Sequence, residues 1–84
     1  MPAQDFETLL SLHRAGHFDE AERGYRTSLH AGDARAGAAL GALLLQRGRY
    51  ADAVAILEPA SRAAPSDAGV ATAYMRSVAE GGRF

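Results

Sequence analysis

A three-residue phrase recurs along the chain: glycine, a polar residue, then an aromatic, as Gly16-His17-Phe18, Gly48-Arg49-Tyr50 and Gly82-Arg83-Phe84. The glycines stand 32 and 34 residues apart, and a period in this range marks a chain assembled from stacked supersecondary units. Setting the three glycines in one column also aligns Ala21 with Ala53 and Tyr25 with Leu57. This column narrows the fold further than any other feature, because whatever one copy adopts the others adopt too and must pack against it.

The segments flanking each glycine carry a helical period. Before Gly16, Phe6, Leu9, Leu10 and His13 recur at i, i+3, i+4 and i+7, and Leu12 widens their apolar face. After it, Phe18, Ala21, Tyr25, Ser28 and Leu29 form a second stripe, with Asp19 and Glu20 in the first turn, where a helix dipole favours negative charge. A glycine between two such stripes suits the left-handed position just past a helix end, so each copy is an αα-hairpin. In the second copy the spacing predicts helices over 34–46, with Leu40, Gly41 and Leu44 inward, and over 50–63. Asp33 is placed to cap the first of these. Pro65 cannot continue the second, and Ser66 or Asp67 can cap the next helix. The third copy supplies one helix, 68–80, with Ala71, Tyr74, Met75 and Val78 on a stripe. Abundant alanine and few β-branched runs favour helix over strand. The expectation is an all-α chain of five helices. Pro59, about nine residues into its helix, predicts a kink, since it removes a hydrogen bond at a cost of about 3 kcal/mol if unrelieved.

At 84 residues the chain fits one small domain, 1–84, with repeat one over 2–33, repeat two over 34–67 and the first helix of repeat three over 68–84. A formal charge of −1 with both signs interspersed leaves no footprint for nucleic acid or an anionic membrane. Without cysteine there is no disulfide frame, thiolate metal site or thiol nucleophile. The longest apolar stretch, Ala36 to Leu45, is too short to span a bilayer, and the first residues lack the basic flank of a signal peptide, which makes a cytoplasmic location the default. His13 and His17 are four apart, but Gly16 breaks the helix between them and no third ligand is evident. No metal and no cofactor are expected. The carboxylates fall at helix starts or on outward faces, where capping and solubility account for them, and no pair converges for acid–base chemistry. The chain is not expected to be an enzyme.

The second copy, with Leu40, Gly41, Leu44, Gly48, Tyr50, Ala53, Leu57, Ala60 and Pro65, resembles the tetratricopeptide repeat family, and the resemblance covers about two and a half repeats. In the outer copies Leu9 and Met75 stand where Gly41 does, and the connection after the first hairpin is shorter and lacks proline. The resemblance implies an αα-hairpin superhelix with right-handed stacking and a concave surface formed by the first helices. Carried over position by position, the ligand groove implied falls on Phe6, Leu10, His13 and Arg14, then Arg35, Ala38, Ala42, Leu45 and Gln46, then Thr72, Arg76, Ala79 and Glu80. Leu10 and Leu45 fit packing between neighbouring helices equally well. The Lys, Asn and Arg set of members that clamp a terminal carboxylate is absent, and Arg14, Arg35 and Arg76 around small residues suit an extended peptide of acidic character. The function this implies is a non-catalytic scaffold holding a protein or peptide. The alternatives are the N-terminal recognition arm of a larger bacterial enzyme of sulfotransferase, glycosyltransferase or aspartyl hydroxylase type, and a homodimer through an exposed last helix.

Overall fold

In a computed structural model, which describes residues 5–81, the chain forms five helices: α1 (Phe6–Arg14), α2 (Phe18–His30), α3 (Ala34–Gln46), α4 (Tyr50–Ala63) and α5 (Ala68–Gly81). Among the described residues there is no strand. Gly82 and Phe84, the third members of the repeat column, lie outside them.

The punctuation between helices is supplied by glycine. Gly16 and Gly48 sit at φ 86° and 75°, a backbone region that a Cβ disfavours. Around Gly48 its own N–H donates to the Leu45 carbonyl at 3.0 Å and the Arg49 N–H to that of Leu44 at 2.9 Å; the same pair joins Gly16 to His13 and His17 to Leu12. Both are Schellman motifs, in which the last carbonyls of one helix are satisfied by the residues that start the next. The connection between the hairpins uses this device as well, with Asp33 N–H donating to Ser28 and Gly32 N–H to Leu29, each at 3.0 Å. A glycine turn therefore closes the short connection where the later one, after α4, has Pro65.

First helices are capped by aspartate. Asp5 Oδ1 accepts from the Thr8 N–H at 2.8 Å, Asp33 Oδ1 from the Arg35 N–H at 3.0 Å, and Asp67 Oδ1 from the Gly69 and Val70 N–H groups at 3.0 and 3.2 Å. The Thr8 hydrogen bonds hold the Asp5 carboxyl below its ordinary value of 3.8, and the Arg35 guanidinium does the same for Asp33. A carboxyl whose pKa is lower in the folded chain contributes stability above the ordinary value and loses it as pH falls toward the folded one. Melting temperature is accordingly expected to drop on acidification below about pH 4, and thermal melts of Asp5→Asn with Asp33→Asn should show a flatter acid limb.

The helices pack in two layers. Helices α1, α3 and α5 form one, with α1 and α5 each touching α3, and α2 and α4 lie over the seams. The fully buried side chains Leu9, Tyr25, Leu40, Leu43, Leu44 and Leu57 make the core between the layers. At its centre α3 and α4 approach closely: a Cβ placed on Gly41 would lie 2.2 Å from Leu57 Cδ2. In the first hairpin Leu9 fills that column, fully buried, and the Tyr25 hydroxyl donates to the Leu9 carbonyl at 3.4 Å. Helix α4 continues through the exposed Pro59 to Ala63.

The buried side of α5 differs from the expected stripe. It consists of Val70 and Ser77 with Ala73 half-buried; of the expected stripe Ala71 and Tyr74 are half-buried, whereas Met75 and Val78 are 69% and 48% exposed. Apolar residues occupy more than one side of this helix, and contact with α3 and α4 selects between them. Ser77 is tolerated in the interior because its hydroxyl donates to the Ala73 carbonyl at 2.8 Å.

Candidate functional site

The candidate groove residues lie on α1, α3 and α5, and the structure divides them. Ala42, Leu45 and Gln46 of α3 and Thr72, Ala73 and Arg76 of α5 line a single cleft of about 550 Å³. Its floor is small because the facing positions are alanine, and its one charged lining residue is Arg76. Arg76 is exposed and makes no ion pair or hydrogen bond through its side chain among the described residues. Glu80 is half-buried and Ala79 exposed one turn further along α5, outside the lining of the cleft. Ala73 is not among the groove positions that the family resemblance implies; it is small and apolar, and without the relative tilt of α3 and α5 it is indistinguishable from a core alanine.

The first-copy residues join this layer by contacts with α3. His13 Nε2 lies 2.8 Å from Gln46 Oε1 and its Nδ1 3.3 Å from the Tyr25 hydroxyl, while its ring meets Phe18 and Tyr25 edge-on. The imidazole thus acts as a tie between the two hairpins. Among the described residues no three His, Asp or Glu side chains converge on a position that could hold a metal ion. Leu10 is half-buried, and Arg14 is exposed with no ion pair among the described residues.

Arg35 behaves otherwise than Arg76. Its Nε and Nη2 hold both oxygens of Asp33 at 3.1 and 3.0 Å, and its guanidinium carbon sits 4.6 Å from the centre of the Phe6 ring. The pairing with Asp33 raises the Arg35 pKa. This cation, although 66% exposed, already has a carboxylate and a ring face as partners within the protein. Together with Ala38 it lines a different cleft, at the N-terminal half of α3.

A charged cluster at the closed ends of the hairpins has no counterpart among the sequence motifs. Glu22 of α2 has a side chain only 14% exposed. Its Oε2 accepts from Arg26 at 3.2 Å, and its Oε1 accepts from Arg49 at 2.8 Å and Arg47 at 3.5 Å. Arg47 also holds Asp19 at 2.9 Å, and Arg49 holds Asp52 at 2.8 Å. Two arginines flanking Gly48 are thereby fastened to the second helix of the preceding hairpin. Contacts between residues 25 to 28 apart leave no periodic signature; each charge taken alone resembles an ordinary solvated one.

Among the described residues no helix is long and apolar enough to cross a membrane. Compared with known protein families, residues 12–75 match the model of a tetratricopeptide repeat. Searches of curated proteins and of solved structures return no match.

Proposed function

Because this chain belongs to the tetratricopeptide repeat family, we propose that it is a non-catalytic interaction scaffold holding an extended peptide of a partner protein against the layer of α1, α3 and α5. The observation that carries this reading is the α3–α5 cleft, with an alanine floor at Ala42 and Ala73 and an exposed guanidinium at Arg76 that pairs with none of the described residues. Small residues let a peptide backbone approach, and Arg76 offers bidentate donors to an aspartate or glutamate side chain. Binding here is a matter of a surface prepared in advance: α3 is fixed by its buried leucines, and α5 is laid against α3 and α4 through Val70 and Ser77, so the cleft exists before association.

The test is calorimetric titration of an acidic peptide selected against the purified protein. Arg76→Ala is expected to weaken it about tenfold or more at low salt, as loss of one charge-assisted hydrogen bond implies, and Ala42→Trp to obstruct it. Arg35→Ala should matter less, because Arg35 is held by Asp33 and Phe6. An equal loss on replacing Arg26 or Arg62 of the second helices would place the binding face on the opposite layer and defeat the reading.

A further inference from the structure

The family's sequence pattern places tryptophan three residues before its Leu-Gly pair. Here that pair is Leu40-Gly41, and the position is occupied by Gly37, buried within α3. A side chain growing from it would run between α2 and α4, since its Cβ would stand 3.5 Å from Leu29 Cδ1 and 3.7 Å from Ala60 Cβ, both ordinary contacts. Beyond that point is open space. A cleft of about 370 Å³ lies there, lined chiefly by Leu29, Gly37, Ala38, Ile56, Ala60 and Val70, and it shares no residue with the α3–α5 cleft.

The mouth has a definite electrostatic character. Arg35 reaches the rim but is neutralised by both oxygens of Asp33. Asp67 also stands at the rim, and while its Oδ1 caps α5, its Oδ2 takes no hydrogen bond from the described residues. The C-terminal end of α4, at Ala63, lies at the same rim, where its final carbonyls carry partial negative charge. The opposite dipoles of the α3 and α5 N-termini at this rim are each met by an aspartate cap, Asp33 and Asp67. The opening therefore favours hydrogen-bond donors and cations over an apolar interior. Ala34, Ala63 and Asp67 around it are exposed, so a backbone can pass across the mouth.

We propose that this cleft receives the aromatic side chain of a partner protein, with a tryptophan next to a lysine or arginine as the occupant that matches it best. The ring fills the volume that Gly37 leaves open, the indole N–H or the neighbouring cation faces Asp67, and the apolar area of the ring supplies the driving force. The anchor is independent of the α3–α5 cleft.

The experiment titrates ¹⁵N-labelled protein with N-acetyl-Trp-Lys amide and, in parallel arms, with the Ala-Lys and Trp-Glu amides and free indole. The expected result is saturable amide shifts at Gly37, Ala38, Ile56, Ala60 and Val70 with Trp-Lys, weaker ones with Trp-Glu, and none with Ala-Lys. Gly37→Leu, which fills the space from within, should raise the melting temperature and weaken the Trp-Lys peptide by about tenfold or more. Ala63→Leu, on the exposed rim, serves the same purpose should Gly37→Leu not fold. Arg76→Ala should leave the titration unchanged, which separates this result from that of the acidic peptide. Absence of shifts at millimolar Trp-Lys, unaltered affinity in the filled variant, or shifts with indole and not with the peptide would each overturn the proposal.

Discussion

Leu57→Ala is expected to destabilise the chain by about 2 to 5 kcal/mol, the range for removing a buried leucine whose surroundings relax only in part. Leu57 has no solvent exposure and lies over Gly41, with the site of a missing Cβ 2.4 Å from its Cγ. Neither α3 nor α4 can move into the vacancy without disturbing its other neighbours, since α3 also packs on α1, α2 and α5. A domain of this size has about 4 to 13 kcal/mol of stability in all, so the variant should lose much of its urea midpoint. The reciprocal change tests the same contact. Gly41→Ala gains about 1 kcal/mol of helix propensity but forces Leu57 aside, at about 1 to 3 kcal/mol for overpacking; the net effect is a loss. Combined with Leu57→Ala the clash is gone, and the double variant should be more stable than the two single losses added together. A strictly additive cycle would show that the two helices do not meet at this point.

The second large effect is expected at Glu22. Glu22→Gln keeps the shape and removes the charge that Arg26, Arg47 and Arg49 share. Exposed ion pairs contribute little singly, but this carboxylate is mostly covered and serves three guanidiniums at once. The loss should be about 1 to 3 kcal/mol, the scale for hydrogen bonds to a charged group. Asp19→Asn, at the 86% exposed end of the same cluster, should cost under about 0.5 kcal/mol. Thermal melts at low and high salt check the cause, because the gap between Glu22→Gln and the parent should narrow as ions screen the arginines. A gap that is constant with salt would mean that Glu22 acts through packing alone.

How far the sequence reveals the structure depends on which forces act locally. The bounds of α3 and α4 coincide with the expected 34–46 and 50–63 because Gly48 and Pro65 act on their own backbone and immediate neighbours. The buried Leu40, Leu44 and Leu57 are readable from a single period. On α5 periodicity fails: Met75 and Val78 are as apolar as Val70 and Tyr74, and only the arrival of α3 and α4 decides which side is covered. Glu22 fails for a related reason, since its partners across the Gly48 turn come near only after the hairpins stack. In the candidate site, the family resemblance points to Ala42, Leu45, Gln46, Thr72 and Arg76 but not to Ala73, nor to the division in which Arg76 pairs with none of the described residues while Arg35 is held by Asp33 and Phe6. Charge type is visible in a sequence, whereas whether a charge is already satisfied is a property of the packed chain.

The position of α3 has a consequence for how the chain comes together. Every packed pair of helices joins neighbours or next-but-one neighbours in order along the chain, and α3 belongs to four of the six pairs. Contacts so near in sequence close only short loops, so little chain entropy is lost before the first favourable contact forms, and a topology of this kind folds quickly. Nucleation can begin in either hairpin, but only growth that includes α3 propagates to both ends. Removal of α1 or α5 would leave α3 still packed between α2 and α4, so the persistence of the stack rests on its middle helix.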